Sequence, residues 1–192
     1  MKRNCTGVVL AGGRGTRMGG VDKGLIELHG RPLVAHALDG LRPQVSTMLI
    51  SANRNRERYA AFGFPVLADA HPEFPGPLAG LAAALARSET EWLVSVPCDM
   101  PHVPVDLVIE FLRVSRALRT RAAFAVIDDD ANYVCALLHR SQLACLEASL
   151  AQGERSVWRW LAQQDARAVQ FEMPGMGTNV NTPEQLSAVK HG

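Results

Sequence analysis

The chain has 192 residues, 47% of them apolar, and a formal net charge of +1. A balance so near neutral excludes the basic face of a nucleic-acid binder and the polybasic patch of an anionic-membrane binder. No apolar stretch approaches the ~18 residues of a membrane span, and the size suits one domain whose core needs no staples. Met1-Lys2-Arg3 is basic, but the apolar run after it is too short for a signal peptide and breaks at glycine. The cysteines (Cys5, Cys98, Cys135 and Cys145) show no C-x-x-C spacing and no zinc pattern. Free thiols in a reducing, cytoplasmic setting are expected.

Residues 7–10 form a short apolar run that reads as a buried strand. It opens into a loop holding Gly12, Gly13, Gly15, Gly19 and Gly20, with Arg14 and Arg17 among them and Asp22-Lys23 at its end. Glycines let backbone N–H groups approach a ligand, and the cations supply charge where several phosphate oxygens need it. Neither familiar phosphate pattern fits. Gly15 and Gly20 have P-loop spacing, but Val21 stands where the lysine should; Gly13-Arg14-Gly15 reaches Met18 where the dinucleotide fingerprint needs its third glycine. The competing reading is a flexible surface loop with incidental charge.

Gly30-Arg31-Pro32 reads as a turn leading into a helix whose apolar stripe is Leu33, Val34, Ala37, Leu38 and Leu41. Strands are predicted over 45–51, 64–68, 91–97, 122–127, 133–138 and 168–172. Helices are predicted over 56–62, from 77 to 87, and over 104–118, 140–150 and 154–163. Thr182-Pro183-Glu184-Gln185 reads as a capping box opening a last helix. Strands alternate with helices through the first two thirds. This pattern predicts an α/β fold, a mostly parallel sheet with helices on both faces, and an antiparallel member near the acidic turn Asp128-Asp129-Asp130.

In such a sheet a ligand lies beyond the carboxyl ends of the strands. The residues just past those ends are the glycine loop, Asn53, Asp69 and Asp99. Asp99 sits between Pro97 and Pro101 after an apolar strand. It reads either as a Mg²⁺ ligand beside phosphates or as the cap of the following helix. Asp69 has the same two readings, with the cap favoured, and could also accept a bond from a sugar hydroxyl. Lys23 and Arg17 are phosphate candidates set against plain solvated cations. His36 reads as packed; His71 and His102 flank the rim. Cys98 is discounted as a nucleophile because the neighbouring Asp99 disfavours a thiolate. Trp92, Trp158 and Trp160 read as packing residues.

Together, LAGGRGTRMGGVDKGL, Ala52-Asn53-Arg54, FPGPLAG at 74–80, PCDMP at 97–101 and NVNTPEQL near the end resemble the molybdenum cofactor guanylyltransferases, the MobA family. The resemblance covers most of the chain. It implies a single-domain, three-layer, Rossmann-like nucleotidyltransferase fold. The nucleotide-binding part would span about residues 1–100 and the pterin-substrate part about 101–192. It implies transfer of GMP from GTP to the terminal phosphate of molybdopterin, with Mg²⁺ and release of pyrophosphate. By position, Leu10, Ala11 and Gly12 would hold the guanine and ribose side, and Gly13, Arg14, Gly15, Arg17 and Lys23 the phosphates. Asp69 would contact the nucleotide, and Asp99 would bind the metal. Ser51 stands where the family often has an asparagine, with Asn53 retained; Asn132-Tyr133 stands where it often has His-Pro. Lys23, Asp99 and Arg17 are the residues expected to serve catalysis. Transient contacts with cofactor-synthesis and molybdoenzyme-maturation proteins are expected, and no contact with nucleic acid or membrane. The rival readings are a cytidylyl transferase for the same pterin, a sugar-phosphate nucleotidyltransferase, and a non-catalytic GTP-binding carrier of the cofactor.

Overall fold

The computed structural model describes residues 3–11, 22–68 and 76–173. The first strand, β1 (Arg3–Leu10), begins before the apolar run. Its polar Thr6 is accommodated because the hydroxyl lies 2.9 Å from that of Thr47 and 2.8 Å from that of Thr90. Buried hydroxyls bonded to one another carry little desolvation cost, so the strand extends through them. A small hairpin follows, β2 (Glu27–Leu28) against β3 (Arg31–Pro32), turning at His29-Gly30 with φ of 51° and 73°. Then come α1 (Leu33–Leu41), β4 (Val45–Ser51), α2 (Arg56–Ala60), β5 (Val66–Leu67), α3 (Pro77–Arg87) and β6 (Trp92–Pro97). The rest is α4 (Leu107–Leu118), β7 (Ala122–Ile127), β8 (Asp130–His139), α5 (Leu143–Ala151), α6 (Val157–Gln163) and β9 (Arg167–Phe171).

Seven strands form one sheet in the order β5-β4-β1-β6-β8-β7-β9. All pairs are parallel except those made by β8, which runs against both β6 and β7. The expected antiparallel member is therefore β8. Side chains alternate across the strands and build a core on each face. On one face Cys5, Val9, Ile50, Val94 and Val96 meet α1 and α4; on the other Val8, Leu10, Leu49 and Leu93 meet α3, α5 and α6. Trp160 is fully buried in the second core, whereas Trp158 is half exposed. Among the described residues, no helix is long and apolar enough to cross a membrane.

Three differences from the sequence reading have local causes. Helix α4 starts at Leu107 rather than 104, because the Pro104 carbonyl accepts from Gln44 Nε2 at 2.7 Å and from Leu107 N–H at 3.2 Å. Helix α6 starts at Val157 rather than 154, because Glu154 Oε1 accepts from the N–H groups of Arg155 (2.8 Å) and Ser156 (2.7 Å) and turns the chain first. Strand β8 is longer than its apolar stretch and carries a bulge. Phe124 pairs with Ala136, but Ala125 pairs with Asn132, so residues 133–135 have no partner on β7. The final capping box and the loop 12–20 lie outside the described residues.

The segment after β6 is held by α1. A Cβ on Gly40 would lie 2.8 Å from Val103 Cβ, well inside contact distance. An open helical glycine gains about 1 kcal/mol on change to alanine, but overpacking against a stiff β-branched neighbour costs ~1–3 kcal/mol. Gly40→Ala is expected to lower stability in urea unfolding by about 1 kcal/mol net; a raised midpoint would show that this contact does not hold the segment.

Candidate functional site

The parallel strands end in register. Leu10 pairs with Ser51 on one side and with Pro97 on the other, and Ser51 pairs with Leu67. The ladder continues one step further: Ala11 N–H donates to Ser51 O (2.8 Å), Cys98 N–H to Leu10 O (3.0 Å) and Ala52 N–H to Leu67 O (2.8 Å). From β1 the chain passes to β4 and β5 on one side, then returns to place β6 on the other. The crevice between β1 and β6 is therefore the switch point of the sheet, where parallel α/β folds bind ligands.

Two of the sequence-predicted residues meet at this crevice. Lys23, at the start of a 3₁₀ turn after the glycine loop, donates its Nζ to Asp99 Oδ2 at 2.5 Å. Both side chains are largely buried, with 21% and 17% of their surface exposed. The other carboxylate oxygen, Asp99 Oδ1, is buried and has no hydrogen-bond partner among the described residues. A buried acceptor without a partner costs ~1–3 kcal/mol and is rare in a native fold. Asp99 does not cap the following helix, since Asp106 occupies that position of α4. An orphaned hard oxygen on a carboxylate that also meets the Lys23 ammonium fits a hard divalent cation that takes one or two carboxylates and fills its remaining positions with phosphate oxygens and water. Among the described residues no group of three or more His, Cys, Asp or Glu could hold a metal by itself, which agrees with so sparse a protein shell.

Leu10 and Ala11 are buried at the end of β1, and Ser51 is buried at the end of β4, with Asn53 exposed two residues later. Gly12, Gly13, Arg14, Gly15, Arg17, Asp69 and His71 lie outside the described residues. His36 is half-buried, with its Nε2 3.0 Å from Leu28 O. Burial first, then the neighbouring His36 and His29, holds the His102 imidazole below its usual value. Cys98 is buried, and its thiol is pushed far up by burial and then by the Asp99 charge, so it stays protonated and is no nucleophile. The acidic turn is a solvated one, with Asp128 and Asp129 exposed at positive φ and Asp128 Oδ1 accepting from Met173 N–H at 2.7 Å.

Sequence reasoning missed the residue beside Lys23. Asp22 is 8% exposed; its Oδ1 accepts from the Tyr59 hydroxyl at 2.5 Å and its Oδ2 from Asn55 Nδ2 at 2.9 Å. The one available signal was an aspartate directly before the candidate lysine. Also unforeseen is the parting of β8 from β6. Their pairing ends at Ser95, and Asn132 folds inward, where its Nδ2 lies 3.7 Å from Met100 Sδ. Among the described residues, the carboxyl end of β6, next to Asp99, thus has a strand neighbour on the β1 side only. A groove of about 790 Å³ lined by Asn4, Trp92, Ile109 and Arg113 lies at the opposite end of these strands and shares no residue with the crevice.

Comparisons with known proteins identify the family and the fold. A molybdenum cofactor guanylyltransferase from Serratia proteamaculans is 45% identical over 185 residues, covering 96% of this chain and 93% of the relative. The molybdopterin-guanine dinucleotide biosynthesis protein A of Archaeoglobus fulgidus superposes with a TM-score of 0.76 at 21% identity, covering 97% of each chain. A Mycobacterium tuberculosis protein solved in complex with manganese superposes with a TM-score of 0.73 at 20% identity, covering 98% of each chain. The model of the MobA-like NTP transferase domain matches residues 7–168, and the chain belongs to that family.

Proposed function

We propose that this protein transfers GMP from GTP to the terminal phosphate of molybdopterin, releasing pyrophosphate. The observation that carries the reading is the Lys23–Asp99 contact at the β1/β6 switch point, with one Asp99 oxygen left without a partner among the described residues. The guanylyltransferase name of a 45% identical relative supports the nucleotide and the acceptor. Leu10, Ala11, Gly12, Ser51 and Asn53 take the guanine and ribose side. Gly13, Arg14, Gly15, Arg17 and Lys23 take the phosphates, and Asp69 contacts the nucleotide. The nucleotide occupies the part of the chain up to about residue 100, and the pterin the part after it. The acceptor approaches from the side where β8 has parted from β6.

The chemistry asks little of the side chains beyond charge and position. The attacking group is a phosphate monoester, already anionic near neutral pH, so no general base and no covalent enzyme intermediate are needed. The barrier lies in bringing two anions together in line. Lys23 and Arg17 lower that barrier by placing fixed positive charge along the triphosphate. Asp99 is the residue that would hold Mg²⁺. When bound, that ion would offset charge on the phosphate oxygens and fix their orientation. The manganese in a structural neighbour is consistent with a divalent ion in this fold. Cytosolic location suits a phosphorylated pterin substrate, and transient handover to cofactor-synthesis and molybdoenzyme-maturation proteins completes the reading.

Mixing the protein with GTP, Mg²⁺ and molybdopterin is expected to release pyrophosphate, in an assay coupled to inorganic pyrophosphatase, well above the rate with CTP. A preference for CTP, or no release with either, would contradict the reading. Asp99→Ala is expected to lower kcat by about 10²–10³-fold. Removing one partner of this largely buried ion pair is expected to lower stability by up to about 3–5 kcal/mol, so turnover is compared once circular dichroism has verified that the variant is folded. Near-wild-type turnover of that variant would remove Asp99 from the metal site. Lys23→Ala should weaken GTP binding by titration calorimetry and also slow transfer; unchanged behaviour on both counts would exclude it.

A further inference from the structure

The phosphate-side lysine does not stand alone. Both carboxylate oxygens of the adjacent Asp22 are held, one by the Tyr59 hydroxyl at 2.5 Å and one by Asn55 Nδ2 at 2.9 Å. Tyr59 is fully buried, and burial, then its bond to Asp22, pushes its phenol far above the usual value, so it remains a donor. The same hydroxyl presses on the chain after Lys23: a Cβ on Gly24 would lie 2.5 Å from it and 3.3 Å from Cys98 Sγ. The turn is closed by Leu25 N–H on Asp22 O at 3.0 Å and Ile26 N–H on Lys23 O at 3.2 Å. Asn55 sits at the N-cap position of α2 at φ 49°, yet its side chain makes no capping bond and turns to Asp22 instead. A residue type favoured at caps is here committed to the lysine's neighbour.

We propose that Tyr59 and Asn55, acting through Asp22, are positioning residues that set the Lys23 ammonium against Asp99 and hence along the triphosphate. This rests on the reading of Lys23 as a phosphate-binding residue. It also ties the two halves of the nucleotide site together. Asn55 follows Asn53 by two residues in the segment that leaves β4, so the loop assigned to the base and the lysine assigned to the phosphates share one strut.

The test uses the full-length protein with Tyr59→Phe, which removes only the hydroxyl. In nucleotide-free protein, trace acetylation with acetic anhydride, read by mass spectrometry, should label Lys23 several-fold faster than in wild type, because the amine is no longer held. Unchanged Lys23 labelling would overturn the proposal. In turnover, Tyr59→Phe should lower kcat and raise KM for GTP, each several-fold and each by less than Lys23→Ala does, as expected for a displaced charge. Added to Lys23→Ala it should cause no further loss, since both act through one amine. Losses that multiply, or a lowered melting temperature with unchanged kcat and labelling, would assign Tyr59 to packing and overturn the proposal. Should Tyr59→Phe fold poorly, Asn55→Ala removes the other arm at an exposed position and is read the same way. If wild type releases no pyrophosphate, the functional reading falls, and the labelling of Lys23 alone decides the strut.

Discussion

A 2.5 Å contact between Lys23 and Asp99 joins two segments that are 76 residues apart in sequence and fixes everything else about the site. The contact uses one carboxylate oxygen and leaves the other buried without a partner among the described residues. A fold optimised for stability alone would satisfy that oxygen or replace the pair with apolar groups, since buried ion pairs add little net stability. Its persistence makes sense if a charged ligand completes the shell. The lysine then has two roles: it balances the carboxylate in the free protein and the phosphates in the complex.

The sheet topology is what brings the pair together. β1 lies between β4 and β6, all three ending at the same level, so the segments that follow them leave from one edge. The strands are apolar on both faces, as a sheet covered by helices on each side requires. Rigid strand ends and packed helices hold the polar residues, so the charge pattern is set before any ligand arrives. Such preorganisation is the main lever available to a reaction between two anions. The antiparallel β8 serves the same edge differently. It parts from β6 after Ser95, so that among the described residues the end of β6 pairs on the β1 side only.

Much of this was legible in the sequence. The strands over Val45–Ser51 and Ala122–Ile127 match their predicted limits, because short β-favouring stretches bounded by turn residues leave little choice. Asp99 was legible as a candidate because it follows a strand, and parallel sheets gather strand ends; Lys23 was legible as a cation at the end of a glycine-rich loop. The Tyr59–Asp22 bond was not, since a buried polar pair 37 residues apart leaves no periodicity to detect. The late starts of α4 and α6 were hidden for a related reason: a Gln44 amide and a Glu154 carboxylate take up the backbone groups that a helix would have used. The bulge in β8 answers to the tertiary position of Asn132 against Met100, which no local pattern encodes.

The most direct test of the central claim is a crystal structure of the protein with Mn²⁺ and a non-transferable GTP analogue, with the metal located by its anomalous signal. The account predicts a metal peak at about 2.1 Å from Asp99 Oδ1, a phosphate oxygen in the same coordination shell, and Lys23 Nζ in contact with the triphosphate. A metal and triphosphate bound away from the β1/β6 crevice, with Asp99 Oδ1 still without a partner, would contradict it.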